Sequence, residues 1–277
     1  MNNQAINLMA ASDKVYWHGY LDFYESRLPF RVDGVIVEFG VFKGDSIRWL
    51  RHRYPSARII GVDILPVQPY WPQEENITYR QLDQGDDQAV RDFFATIEPP
   101  AIILEDGSHV PAHQSRCLKL GFARLMPGGV YILENIDTSH PAHSLYKKEF
   151  ADHAGGWINR VLRYWFGRDE PRGQTSLSVL LGLEHLRRRG RGSLSEEELE
   201  MLSEGAHFSR DDIRRFNELI ESMEFYRRSK FPSRCFACGG SHFDYHRLRC
   251  SCGVDLLGEA DSMSVCMTKA ERDGARP

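Results

Sequence analysis

Two apolar runs, Ala101-Ile102-Ile103-Leu104 and Val130-Tyr131-Ile132-Leu133, each lead straight into acids. The first is followed by Glu105-Asp106-Gly107-Ser108-His109 and the second by Glu134-Asn135. Short apolar runs of this kind read as buried strands. Between them lie a helical stretch, Ala112–Leu125, and a Pro127-Gly128-Gly129 turn. The same alternation starts upstream. Strands are expected at 35–39, 58–63 and 77–82, with helices at 46–53 and 87–96. Strands that alternate with helices build βαβ units and a parallel sheet. In such open sheets ligands bind at the carboxyl ends of the strands, which is where the acids fall.

The turn after the first strand, Glu38-Phe39-Gly40-Val41-Phe42-Lys43-Gly44-Asp45-Ser46, opens a helix. Glycine there permits a tight turn and close approach of the backbone to a ligand. Asp63 ends the next strand, placed to accept hydrogen bonds from ribose hydroxyls. The G-x-x-x-G spacing differs from the dinucleotide G-x-G-x-x-G and favours S-adenosylmethionine over NAD. The competing view is a purely structural βα turn. Asp106 and Glu134 are oxygen donors suited to a hard divalent cation such as Mg²⁺. His109, beside them, is a candidate general base. Its alternative is a helix N-terminal histidine with no chemistry. His140 and His143 are reserve candidates.

Composition sets limits. The chain has 277 residues, is 42% hydrophobic and 27% charged, and carries a formal net charge of −4. Those values suit an ordinary globular protein and give no global argument for a nucleic-acid or membrane partner. No basic-then-apolar leader and no apolar run of about 20 residues is evident. A cytoplasmic location is therefore expected. Six cysteines occur, four of them clustered as Cys235-x-x-Cys238-Gly239-Gly240 and Cys250-x-Cys252-Gly253. Cysteine pairs followed by glycine fit a structural Zn²⁺ site of four thiolates better than disulfides. His242 and His246 are substitute ligands, and four unligated thiols are the competing view. Cys117 and Cys266 are expected as buried core thiols.

Elsewhere, residues 13–28 have an aromatic-rich helical pattern, expected to pack on the sheet, with a substrate lid as the alternative. Residues 140–205 read as less regular. Breaks are expected at Gly155-Gly156 and Arg187–Gly192, the basic run being a solvated face or loop. Ser195-Glu196-Glu197-Glu198 reads as a capping box, and Ser209–Glu221 as a helix with Asp211 and Asp212 in its first turn. Two last strands are expected at 222–226 and 262–267.

These pieces together resemble the class I S-adenosylmethionine-dependent methyltransferases. More narrowly, they resemble the Mg²⁺-dependent sugar O-methyltransferases of macrolide and related glycosylated antibiotic pathways. The resemblance rests on Asp13-Lys14, His18-Gly19-Tyr20 and Tyr24-Glu25, on Val37 to Ser46, and on Gly61-Val62-Asp63-Ile64. It continues in Asp106-Gly107-Ser108-His109 and Pro127 to Glu134. It covers about residues 13–139 and resumes at the C-terminal strands. It implies an α/β Rossmann-like sheet, mostly parallel with an antiparallel last strand, preceded by an N-terminal helix. It further implies that Glu38, Gly40 and Gly44 lie at the methionine end of the cofactor, Asp63 at the ribose, and Asp83 and Gln84 near the adenine. Asp106, Glu134 and Asn135 would hold Mg²⁺, with Asp106 and His109 catalytic. The family usually has a second acid where this chain has Asn135, so the site carries less charge; Asp137 or Glu105 is a candidate for the missing charge. In the family the last two strands are joined by a short hairpin.

The expected domains are 1–33, an N-terminal helical segment; 34–227 with 262–277, the methyltransferase; and 228–261, a cysteine-rich zinc-binding insertion. The expected activity is methylation of a sugar hydroxyl on a glycosylated small molecule. A catechol-type O-methyltransferase is the second reading. A zinc-knuckle nucleic-acid-binding protein, using Arg187–Arg191 on phosphate, is the third and is disfavoured by the charge. Self-association is left open.

Overall fold

A computed structural model describes residue 9 and residues 11–152, 175–189, 193–203, 207–257 and 262–271. In chain order the N-terminal elements are α1 (Asp13–Tyr16), α2 (Tyr20–Arg27), β1 (Val35–Phe39), α3 (Asp45–Arg53), β2 (Arg58–Asp63) and β3 (Ile77–Gln81). Next come α4 (Asp87–Thr96), β4 (Pro100–Glu105), α5 (Pro111–Arg124) and β5 (Val130–Leu133). After a 3-10 turn at Ile136–Ser139 follow α6 (Ser144–Asp152), α7 (Ser176–Arg188), α8 (Glu196–Ser203) and α9 (Arg210–Leu219). The last strands are β6 (Ile220–Arg227), β7 (Phe243–Asp244), β8 (Arg249–Cys250) and β9 (Met263–Lys269).

One seven-stranded sheet has the order β3-β2-β1-β4-β5-β9-β6. Strands β1 to β5 pair in parallel, while β9 is antiparallel to both β5 and β6. This is the Rossmann-like sheet expected of a class I methyltransferase, antiparallel last strand included. Strands β1, β4 and β5 are buried along their whole length. That is what a parallel sheet covered on both faces requires, and it explains their unbroken apolar runs. Two apolar clusters form the faces. Phe39, Phe94, Phe122 and Tyr131 belong to one, and Tyr20, Tyr24, Trp49 and Ile132 to the other. The strand order reverses between β1 and β4, so the crevice opens at their carboxyl ends.

Several local expectations are corrected. Residues 13–28 are not one helix: Gly19, at φ 68°, starts α2 afresh after α1. The stretch packs on the sheet through Tyr20 and Tyr24, yet Lys14 and Trp17 also line the crevice, so part of it does border the site. The expected helix at 209–221 ends at Leu219, and Ile220 and Glu221 already belong to β6. No glycine or proline marks that junction. The expected irregular region contains α7, whose buried face is Leu177, Val179, Leu180, Leu183 and Leu186. Arg187 lies inside this helix and donates to the carbonyls of Asn217 (2.8 Å) and Ile220 (2.7 Å), so it ties elements together instead of forming a solvated face. The expected breaks at Gly155-Gly156 and at 190–192 lie outside the described residues. The capping box at Ser195 is present: Ser195 N–H donates to Glu198 (2.8 Å) and Glu198 N–H to Ser195 Oγ (3.2 Å).

Candidate active site

A cavity of about 860 Å³ lies at the carboxyl ends of β1, β2, β4 and β5. Its floor is the glycine turn. Gly40 has φ +86°, and a Cβ there would stand 1.9 Å from the Asp106 carbonyl oxygen. The turn therefore admits only glycine without moving β4, and it leaves the backbone bare toward the cavity. Gly44, at φ 76°, starts α3.

Asp63 lines the cavity and also holds the turn. Its Oδ2 accepts from Val41 N–H (2.9 Å) and Phe42 N–H (3.2 Å), and its Oδ1 accepts from Leu65 N–H (2.9 Å). This second task was not legible from its position at a strand end. Glu38, in fully buried β1, is 0% exposed. Among the described residues neither oxygen has a fully formed hydrogen bond, though the Ser46 side chain acts on the carboxyl in favour of its charged form. Burial pushes its pKa up to about 7, opposed by the Lys14 charge. Glu38 does not line the cavity, so it reaches a cationic ligand on the glycine turn through its charge and not by contact.

Asp83 lines the cavity and caps Gly85 N–H at 2.7 Å. Gln84 is more committed. It donates to Glu105 Oε1 (2.8 Å) and accepts from Ser108 N–H (2.8 Å), locking the end of β3 to the end of β4. Glu105 is 1% exposed and outside the cavity, so it does not replace the charge missing at Asn135.

The acids are brought together, with an ammonium between them. Lys14 Nζ donates to both oxygens of Glu134, at 2.6 and 2.7 Å, and to Asp106. Tyr24 Oη also donates to Glu134. Asn135, in the left-handed conformation at φ 49°, accepts at Oδ1 from Tyr20 Oη (3.1 Å). Burial alone would lower the Lys14 pKa, but Asp106 and then Glu134 raise it above the ordinary lysine value. Burial and the Asp106 charge push Glu134 upward, while Lys14 and Tyr24 oppose the shift. Two side chains, Lys14 and Tyr24, donate to this carboxylate and favour its ionised form against the burial that raises its pKa to about 8.

This arrangement does not fit the expected Mg²⁺ held jointly by Asp106, Glu134 and Asn135. Glu134 is 1% exposed and does not line the cavity, and its oxygens are already engaged. A cation bound by all three would have to expel a buried ammonium. Asp13-Lys14 belongs to the residues that carry the family resemblance, but nothing in the sequence assigned Lys14 to the acids.

His109 stands at the cavity wall with φ 57°. Its Nε2 is 3.7 Å from Asp106 Oδ1, and its Nδ1 is buried with no hydrogen-bond partner among the described residues. Of the reserve histidines, His143 lines the cavity and His140 does not. Asp137 lines it too, with Oδ1 accepting from Met263 N–H (3.1 Å).

No family model matches the chain. Curated relatives do. The chain is 34% identical over 142 residues to 8-demethyl-8-alpha-L-rhamnosyl tetracenomycin-C 2'-O-methyltransferase of Streptomyces olivaceus, covering 48% of this chain and 37% of the relative. It is 30% identical over 97 residues to demethylmacrocin O-methyltransferase of Streptomyces fradiae, covering 35% and 24%. Among solved structures, the MycE methyltransferase of the mycinamycin pathway, in complex with Mg and SAH, superposes with a TM-score of 0.55 at 17% identity. That match covers 99% of this chain and 56% of MycE. The fold is that of a class I methyltransferase. The chain resembles the sugar O-methyltransferases of glycosylated antibiotic pathways. It spans little more than a third of the first curated relative's length and about half of MycE.

The four clustered cysteines lie elsewhere, between β6 and β9. Cys117 and Cys266 are buried free thiols, as expected of core residues. Among the described residues no helix is long and apolar enough to cross a membrane.

Proposed function

We propose that the protein is a cytoplasmic S-adenosylmethionine-dependent O-methyltransferase acting on a sugar hydroxyl of a glycosylated small molecule. The observation that carries the reading is the meeting of Gly40, Asp63, Asp106 and His109 in one cavity, at the sheet edge where this fold binds its ligands. The relatives' named acceptors, a rhamnosyl tetracenomycin among them, support a glycoside.

When bound, S-adenosylmethionine supplies a sulfonium methyl that is already activated toward displacement. The protein's task is to bring an acceptor oxygen in line with it and to remove a proton. Gly40 lets the backbone approach the cofactor, Glu38 supplies negative charge near its cationic end, and Asp63 accepts from the ribose. His109 takes the acceptor's proton as the O–CH₃ bond forms and the S–CH₃ bond breaks. Asp106 faces His109 and stabilises the imidazolium that results.

The Asp106–Glu134 pair keeps its shape through Lys14. We infer that this ammonium holds the position expected of Mg²⁺, so no step passes through a divalent cation. MycE was solved with Mg, and the same experiment decides the matter for this chain. Labelled S-adenosylmethionine is offered with rhamnosyl polyketides, macrolide glycosides and catechols, in EDTA and in added Mg²⁺. Transfer to a glycoside that persists in EDTA is expected. Transfer to catechols alone would favour the second reading, and loss of transfer in EDTA would restore the metal.

A further inference from the structure

Outside the catalytic cavity, four thiols converge. The sulfurs of Cys235, Cys238, Cys250 and Cys252 all lie within 4.8 Å of one another. Cys235 and Cys252 are 3.6 Å apart, and Cys238 and Cys250 are 3.5 Å apart. A disulfide would need about 2.05 Å. Four sulfurs about 2.3 Å from one tetrahedral ion are separated by about 3.8 Å, close to what is seen. The backbone is shaped to match. Gly239 (φ 69°) and Gly253 (φ 96°) follow the two cysteine pairs in the left-handed region. Each closes a turn, Gly239 N–H donating to the Cys235 carbonyl and Gly253 N–H to that of Cys250, both at 2.8 Å. Amides of Ala237 and Cys238 point at the Cys235 sulfur, that of Gly240 at Cys238, and that of Cys252 at Cys250. Amide donors of this kind stabilise thiolates, and a four-thiolate set prefers Zn²⁺ to harder ions.

The knuckle touches the catalytic side of the molecule. Cys235, Cys250 and Leu256 pack with Trp17 in one apolar cluster. Ser233 N–H donates to the Tyr16 carbonyl at 2.9 Å, and the Arg228 guanidinium lies 5.0 Å over the Trp17 ring. Trp17 is in the same stretch as Lys14. Phe236, between the first two cysteines, is 59% exposed and yet lines the catalytic cavity, 6.0 Å from the Trp17 ring.

We propose that Cys235, Cys238, Cys250 and Cys252 bind one structural Zn²⁺, and that the knuckle so formed fastens the Lys14–Trp17 segment and holds Phe236 as a wall of the acceptor opening. The segment around the cysteines has little apolar core of its own, so the ion supplies the rigidity that burial does not. Fixed in place, the Phe236 ring offers a flat apolar face for stacking against the acceptor. The acceptor role rests on the methyltransferase reading above; the metal site and the fastening do not.

The test uses the full chain, purified under reducing conditions. Metal analysis should find one Zn²⁺ per chain, and the Cys235→Ser/Cys238→Ser double variant should lose it. Amide hydrogen exchange at residues 14–20 should then accelerate, while calorimetric binding of S-adenosylhomocysteine changes by no more than about twofold. If that variant does not fold, stripping zinc from the native chain with a chelator and a mercurial reagent gives the same exchange comparison. Phe236→Ala should keep its zinc and raise the acceptor KM by up to about tenfold, with kcat little changed. Absence of zinc, a disulfide among these cysteines, or unchanged exchange after zinc loss would each overturn the metal site or its fastening role. An unchanged KM in Phe236→Ala would overturn the wall. The zinc and exchange results stand even if no glycoside is methylated, so a wrong acceptor class and a wrong metal site are told apart.

Discussion

Lys14 and Glu134 are 120 residues apart in the chain, and the lysine ammonium contacts both oxygens of that carboxylate, at 2.6 and 2.7 Å. Lys14 is 5% exposed and Glu134 1%. Removing one member of a buried pair leaves the other charge uncompensated, which costs about 3–5 kcal/mol. Lys14→Met is therefore expected to lower the urea-unfolding free energy by about that amount and to abolish transfer. The Lys14→Met/Glu134→Gln double variant should recover much of the stability but not the activity. If the single variant unfolds like wild type, the pair is not the buried contact described. Asn135→Asp adds the acid that the related enzymes usually have. With Lys14 still between the acids it should leave transfer insensitive to Mg²⁺ and EDTA; a gain with Mg²⁺ in this variant would show that the ammonium does not hold the metal position.

Gly40 makes a second test. Its Cβ position lies 1.9 Å from a backbone oxygen of Asp106, at a φ that side chains rarely adopt. No flexible side chain can yield there, so Gly40→Ala must push β1 and β4 apart at the cavity floor. The expected cost is at least 1–3 kcal/mol of stability, together with loss of calorimetric S-adenosylhomocysteine binding. A variant that binds with native affinity would mean the cofactor does not sit on this turn.

Much of this was legible in the sequence. The β1, β2 and β5 bounds, and the placing of Asp106, His109 and Glu134 at one sheet edge, follow from apolar runs; β1 and β5, buried along their whole length, leave no alternation to misread. What was not legible depended on tertiary partners. Lys14 stands in the Asp13-Lys14 pair of the resemblance, yet its partners appear only when β4 and β5 bring two acids to it. Gln84 sits where adenine contacts were expected, and only the fold shows it bonded to Glu105 and Ser108. The α9–β6 junction has no breaker residue, since Ile220 ends one pattern and begins the next.

His109 is expected to act on the acceptor and not on the cofactor. Its Nε2 faces Asp106 at 3.7 Å, and among the described residues its Nδ1 has no hydrogen-bond partner, so the ring is free to serve the acceptor. His109→Gln should lower kcat about 10²–10⁴-fold while leaving S-adenosylhomocysteine affinity and unfolding free energy near wild type. Retained kcat would pass the base role to one of the other two histidines lining the cavity, His143 and His18.

His18 carries the expected pH dependence. Its ring stacks on Tyr20, with centroids 4.9 Å apart, and Nδ1 is bonded to Ser262 Oγ. Burial lowers its pKa to about 4, outweighing the pull of Asp13 and Asp106 toward the charged form. In the unfolded chain a histidine titrates near 6.5. Between those two values the unfolded state binds the extra proton, so stability rises with pH. The contribution is complete above pH 6.5 and is lost as pH falls toward 4, amounting to roughly 3 kcal/mol if the shift is fully realised. Unfolding free energies measured in urea at pH 4.5, 5.5 and 6.5 should therefore climb more steeply in wild type than in His18→Asn, which keeps a polar group against Ser262 but does not titrate. Parallel curves for the two proteins would show that His18 is as free to charge in the folded chain as in the unfolded one, and that the contact of α1 and α2 with the β9 end is looser than the half-buried ring implies.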